Sequence, residues 1–317
     1  MKLQRPLIGF ALLTLLYLGT LIWIDSSKQV FAQLPRLWSA LSVMIALTLL
    51  TYVVRFARWQ WLLHRLGHRP PMLQSLLAYV AGFAFSATPG KVGELIRIRY
   101  LQPLGVPAPH TLGAFVCERL LDLLSVLPLA ALYLREPRLL MLAFVFTGTL
   151  TAMMLLVLNH PGLLRRLIAW LRTHHAPRAA KLLGKIKEGL QGSRSLLTPA
   201  NLLIGLGAGI AAWLVSALAF AWLLAQLGLA MPASVAIPMY PLAMLVGAAS
   251  MIPGGLGSTE ATLTTLLLAE GAPLQAAALA VIGIRLAFLW FSIAVGFVAF
   301  GVLEWRGASS SERRQSP

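Results

Sequence analysis

Pro89-Gly90-Lys91-Val92-Gly93, followed by Glu94, and Pro253-Gly254-Gly255-Leu256-Gly257, with Glu260 close behind, are two copies of one Pro-Gly-x-x-Gly pattern. Each interrupts an apolar stretch, the first within residues 72–101 and the second within 232–270. Each glutamate precedes an arginine in a later apolar segment by the same interval, Glu94 to Arg119 and Glu260 to Arg285. Broken hydrophobic segments at corresponding places in two halves of a membrane chain point to a transport site near the bilayer midplane. Non-helical backbone at that depth survives only where it is buried in protein or lines a cavity. Both breaks are therefore expected to face a polar cavity.

The composition sets the class. Of 317 residues, 58% are hydrophobic and 11% charged, with a mean hydropathy of +0.79. Soluble domains carry about 25% charged residues, so the chain reads as an all-α integral membrane protein. The longest polar stretch, 159–200, is too short for an independent catalytic core. A net charge of +16 invites a nucleic-acid reading. The basic residues instead cluster in short loops between apolar segments, as in cytoplasmic loops, and no basic recognition helix or aromatic-interleaved patch accompanies them. Nucleic acid is excluded as a partner. Cys117 is the single cysteine, which leaves no intramolecular disulfide.

Six apolar spans, 7–24, 37–56, 110–134, 138–158, 202–227 and 273–303, are each long enough for a hydrocarbon core of about 30 Å. The first exceeds the roughly 7–15 residues of a signal-peptide core and reads as a retained helix. The broken segments either cross the bilayer or dip in and return. If 72–88 crosses, the loop 159–200 falls outside, although it holds Arg165, Arg166, Arg172, Arg178, Lys181, Lys185, Lys187 and Arg194 against Glu188 alone. The positive-inside rule rejects that arrangement. With both segments re-entrant, only Lys28, Arg36, Arg135 and Arg138 lie outside, Lys91, Arg119 and Arg285 lie at membrane depth, and the other basic residues lie inside. The expected architecture is one polytopic domain over 1–317, with about six transmembrane helices and two re-entrant broken helices. Residues 37–134 form a first repeat unit and 201–303 a second, inverted one, separated by a cytoplasmic basic loop, 159–200, and followed by a polar tail, 304–317. Both termini are expected in the cytoplasm of a bacterium, below its inner membrane. Within the loop, 163–190 is basic and amphipathic, which suits the inner surface against anionic lipid and equally a plain solvated positive-inside loop.

The breaks carry the chemistry. Thr88 as N-cap and Pro89 at the first helical position predict a second half-helix whose free N–H groups face the cavity beside Lys91, a ready anion site. Gly257-Ser258-Thr259-Glu260 is expected to open the opposing half-helix in a similar way. In the third span Glu118, Arg119 and Asp122 lie about two turns inside, with Glu118 and Asp122 on one face. Arg285 falls about 18 Å along its helix, near the midplane. Charges at such depth cost roughly 2.5–3.5 kcal/mol each on insertion scales, so they must be paired or wetted. Glu94–Arg119 and Glu260–Arg285 are the expected pairs. His64 and His68 have metal-ligand spacing but no third ligand nearby, and read as interfacial packing. There is no Ser/His/Asp constellation, phosphate-binding loop or HExxH, so neither a catalytic site nor a cofactor is expected.

Ala87 through Glu94, Glu118-Arg119-Leu120-Leu121-Asp122, and Ile252 through Gly257 with Glu260 resemble the flippase-like membrane region of lysylphosphatidylglycerol synthases. Related stand-alone proteins include members linked to hopanoid and glycolipid pathways. The resemblance covers nearly the whole chain and implies translocation of a lipid between leaflets. The aminoacyl-transferase domain of the two-part synthases has no counterpart here, so lysyl-lipid synthesis does not carry over. The resemblance leaves the lipid itself unspecified.

The expected function is thus a lipid flippase or lipid-linked-intermediate transporter, with membrane lipids, anionic or phosphate-bearing, as partners. In this reading Thr88, Pro89, Gly90, Lys91, Gly93, Arg119, Pro253, Gly254, Gly255, Gly257 and Arg285 bind the headgroup, and Glu94 and Glu260, with Glu118 and Asp122 nearby, gate it. Two other classes are open at this level: an intramembrane headgroup enzyme using Glu94, Glu118 and Asp122, and a non-transporting anchor for a lipid-modifying enzyme. The topology has a direct check. In a Cys117→Ser background, cysteines near Gly228 and Gly271 should label from outside, and cysteines at Arg178 and Ser311 only after permeabilisation.

Overall fold

A computed structural model describes residues 38–134, 161–173 and 198–315, with scattered positions from 136 to 196. The expected span 7–24, most of 138–158 and most of the basic loop lie outside the described residues. The described chain is helical throughout. Its elements are α1 (Trp38–Arg65), α2 (Met72–Ala81) running into a 3-10 turn (Gly82–Phe85), a 3-10 segment (Pro89–Ile96) leading into α3 (Arg97–Leu101), and α4 (Ala108–Ala131). Then come α5 (Pro161–Thr173), α6 (Pro199–Gln226), α7 (Ala233–Ala249), α8 (Ser258–Ala269), α9 (Leu274–Arg285), a π turn (Leu286–Trp290) and α10 (Phe291–Gln315).

Trp38–Arg65, Pro199–Gln226 and Leu274–Arg306 are long and apolar enough to cross a membrane. Their outer faces expose Val53, Leu203 and Val298, each more than half accessible, a surface suited to lipid rather than water. The chain is an α-helical integral membrane protein. Two expected limits shift. The span 37–56 continues as helix to Arg65, and the last helix runs on to Gln315, into the residues expected as a polar tail. In α5, Arg165, Arg166 and Arg172 are exposed and Ile168 is buried, the amphipathic pattern expected of that stretch.

Punctuation repeats along the chain. Gly67 and Gly228, both at positive φ, follow α1 and α6, and Pro71 and Pro232 precede α2 and α7. Gly105 with Pro107 and Gly271 with Pro273 repeat the device ahead of α4 and α9. The segment around the first Pro-Gly break, through α2, packs on α10, while that around the second, through α7, packs on α4. The central contact is α1 against α6. Met44 of α1 and Phe220 and Leu223 of α6 share one core with Tyr240 and Leu263. Trp59 and Leu62, farther along α1, share the other with Tyr79 and Phe115, joined by Leu202 and Leu206 from the start of α6. The start of α1 thus meets the end of α6, and the two helices run antiparallel.

In lipid, helices associate through close packing rather than through expulsion of water, so small residues mark the interfaces. Gly205 and Gly209 form such a stripe on α6. A Cβ on Gly205 would lie 2.6 Å from a methyl of Leu121, and one on Gly209 would strike Ser125 of α4 and lie 2.9 Å from Arg58. Gly296 on α10 seats the first broken pair, since a Cβ there would overlap the backbone of Ala84 and stand 2.7 Å from the carbonyl carbon of Phe83. His68, beyond α1, has its Nε2 2.7 Å from His110 Nδ1 on α4. Burial and then His110 hold the His68 imidazole below the usual histidine range. Overpacking typically costs about 1–3 kcal/mol. Gly296→Val should therefore lower the thermal midpoint of the purified protein distinctly, whereas Gly301→Val, which meets open space, should leave it nearly unchanged.

Candidate functional site

The first break is organised by Thr88. It is extended, at φ −81 and ψ 151. Its hydroxyl donates to the Phe85 carbonyl at 2.9 Å and accepts the Gly93 N–H at 2.7 Å, while its carbonyl accepts the Lys91 N–H at 2.9 Å. Gly90 and Lys91 follow at φ 60 and 56. A left-handed conformation is natural for glycine but costs a lysine about 1–2 kcal/mol, strain that the surrounding bonds must hold. Thr88 and Pro89 do start a helical segment, as the sequence predicts. It is a 3-10 segment rather than an α-helix, and the N–H groups of Lys91 and Gly93 go to Thr88 instead of remaining free. Gly93 is required by space: a Cβ would lie 2.6 Å from that of Phe85.

The second break is organised by Arg285. Its Nε donates to Glu260 at 2.7 Å, and its Nη2 donates to the carbonyls of Gly254 and Gly255 at 3.1 and 3.0 Å. The other Glu260 oxygen accepts the Gly257 N–H at 2.8 Å, closing the first turn of α8. One arginine from α9 therefore fixes both the turn after Pro253 and the acid that caps the next helix. Glu260–Arg285 is the pair expected from spacing. Its counterpart is looser: Arg119 Nη2 is 4.0 Å from Glu94, which instead accepts from Arg97 at 2.6 Å and from the Ser86 hydroxyl at 3.0 Å.

Glu118 and Asp122 are buried behind these groups. Glu118 accepts from Arg97 at 3.0 Å and from the Tyr79 hydroxyl at 2.9 Å. Asp122 accepts from Arg58 at 2.6 Å and Arg55 at 2.9 Å, both on α1. Arg119 lies 3.2 Å from each of the two acids. Arg97 is enclosed between Trp59 and Tyr79, its guanidinium carbon 4.9 and 4.1 Å from their ring centres. Fully buried arginines survive because charge partners and aromatic faces replace their water.

These groups border a cavity of about 210 Å³ that both breaks line, through Thr88, Gly90 and Lys91 on one side and Gly254 and Gly255 on the other. Among the described residues its cations are Arg55, Lys91, Arg119 and Arg285, and its sole lining carboxylate is Glu94. Arg55 and Arg119 keep 15% and 21% of their side chains accessible, whereas Arg58 and Arg97 are closed off at 1%. Glu118, Asp122 and Glu260 hold the three lining arginines from outside the lining. Gly254, at φ 65, brings the second turn against Ala87 of the first; a Cβ there would lie 3.3 Å from the Ala87 methyl.

The sequence model of the lysylphosphatidylglycerol synthase TM region matches residues 7–296. The chain belongs to that family. No curated protein and no solved structure matches it.

Within this family member, three site residues escape a reading of the sequence. Arg55 and Arg58 follow an apolar run and resemble an inner-surface flank. The available signal is that Trp59, Trp61, Leu62 and Leu63 resume the apolar pattern, so the helix does not end there. Arg97 shows only as an i, i+3 partner of Glu94. Breaking a buried pair by removing one partner costs about 3–5 kcal/mol, while an exposed pair contributes about 1 kcal/mol or less. Arg97→Gln should accordingly destabilise the protein by several kcal/mol in reversible denaturation, and Arg99→Gln, in the exposed pair with Glu304, by less than about 1 kcal/mol.

Proposed function

We propose that this member of the lysylphosphatidylglycerol synthase TM family moves a lipid with an anionic headgroup between the leaflets of the bacterial inner membrane, without altering it chemically. The observation that carries the reading is a cavity bordered by both Pro-Gly breaks, with four cations on its wall against one carboxylate among the described residues. A cavity of this sign attracts an anion, and cationic clamps strengthen as water is excluded around them. The acyl chains stay in lipid while the headgroup passes between the breaks.

The reciprocal packing of α2 on α10 and α7 on α4, around the antiparallel α1–α6 pair, supports two units of inverted topology with re-entrant broken helices. Such units commonly alternate access by rocking about a fixed site. Together with the charge distribution of the loops, this favours about six crossings and cytoplasmic termini. Glu94 serves as the gate. Bound to Arg97 and within 4.0 Å of Arg119, it exchanges partners as the cavity opens and a headgroup competes for Arg119. Glu260, held by Arg285 and the Gly257 N–H, keeps the second break in shape.

A leaflet assay with reconstituted protein and anionic phospholipids tests this. Translocation well above that of empty liposomes is expected, and rates equal to theirs across several anionic lipids would exclude the function. Gly254→Val should insert normally, because apolarity over a roughly 20-residue window barely changes. It should nevertheless lose transport, since valine cannot hold the left-handed turn and would press on Ala87.

A further inference from the structure

The buried charges around the cavity do not balance. Arg55, Arg58, Lys91, Arg97 and Arg119 face three carboxylates, Glu94, Glu118 and Asp122, while Arg285 and Glu260 neutralise each other. The four arginines all reach those carboxylates. The Lys91 ammonium makes no ion pair or hydrogen bond with any described residue. The segment around the first break and its neighbours therefore hold two positive charges more than the carboxylates among the described residues answer. They are not spread evenly: the closed arginines, Arg58 and Arg97, are the ones most tightly held by carboxylates, and the surplus falls on Lys91, Arg55 and Arg119 at the cavity wall.

An uncompensated charge in a site shielded from water is expensive, and two in one cavity repel each other as well. The size of the cavity narrows what can answer them. About 210 Å³ is less than the roughly 300–1,000 Å³ of sites that enclose drug-sized ligands. It suits a compact anionic group. Resting on the transport reading, we infer that the preferred ligand is a phosphate monoester, a small headgroup that carries close to two negative charges at neutral pH. A phosphodiester headgroup supplies one charge and leaves one cation unanswered; a zwitterionic headgroup adds an ammonium to a wall that is already cationic. The same dianion exists as the headgroup of a phosphomonoester lipid and as a free phosphate ester, and the two are separable by experiment.

The full chain in detergent is titrated calorimetrically with short-chain phosphatidic acid and with phosphatidylmethanol, which differs by one methyl group and one charge. Phosphatidic acid should bind about tenfold tighter or more, the equilibrium equivalent of one added charge-assisted hydrogen bond. Lys91→Gln should erase that preference, and Lys91→Arg should retain it. Equal affinity of the two lipids for the wild-type protein overturns the inference, and this comparison stands even if a variant fails to fold. Glycerol 3-phosphate or inorganic phosphate competing as well as the lipid supports the dianion and assigns it to a soluble ester; failure to compete supports the lipid. Equal binding of the two lipids with rapid translocation in liposomes removes the inference and leaves transport standing. A strong preference for phosphatidic acid with no translocation does the reverse.

Discussion

The structure depends on holding four arginines and three carboxylates together in the middle of the protein, two of the arginines closed off and two at a cavity wall. Each ion alone would lose several kcal/mol of hydration in leaving water. The arrangement tolerates this because every carboxylate is shared: Asp122 by Arg55 and Arg58, Glu94 by Arg97 and Ser86, Glu118 by Arg97 and Tyr79. These partners come from α1, α2, the first turn, α3 and α4. The network therefore fixes the relative placement of five separate pieces of chain, and packing alone would leave several of those contacts free to slide. Gly209 belongs to the same logic, since only a residue without a side chain lets α6 lie over Arg58 and Ser125.

The two broken pairs solve one problem with different chemistry. In the second, Arg285 bonds directly to loop carbonyls, so the turn is held by a residue distant in sequence. In the first, Thr88 makes the equivalent bonds locally and leaves Arg119 with carboxylate neighbours and an accessible edge. The consequence is a structural division: one break is held by a distant arginine, and the other leaves Arg119 with an accessible edge at the cavity wall.

Much of this was legible in the chain. The Pro-Gly breaks, the placement of Glu260 ahead of Arg285 and the membrane class follow from glycine and proline geometry, a fixed interval and composition. Other features were hidden for physical reasons. Arg55 and Arg58 end an apolar run, where basic residues ordinarily mark the inner surface, and only the three-dimensional position of Asp122 shows that they point inward. Thr88 was readable as a helix start, but the direction of its hydroxyl depends on the turn at Gly90 and Lys91. That turn decides which N–H groups remain free. Glu94 was matched with Arg119 because the repeat suggested it, yet the nearer Arg97 wins by being on the same segment.

The π turn at Leu286–Trp290 distinguishes the helices that carry Arg119 and Arg285 in another way. Such a turn holds one residue beyond what a regular helix needs. It begins immediately after Arg285, whereas α4 continues without interruption past Arg119 to Ala131. With 3.6 residues per turn, one residue corresponds to about 100° of rotation. The two helices are thus out of phase beyond their matching arginines, and a chimera that exchanged them, or a symmetrised protein built from one unit, would turn an entire helical face from its partner toward lipid unless that single residue were carried along.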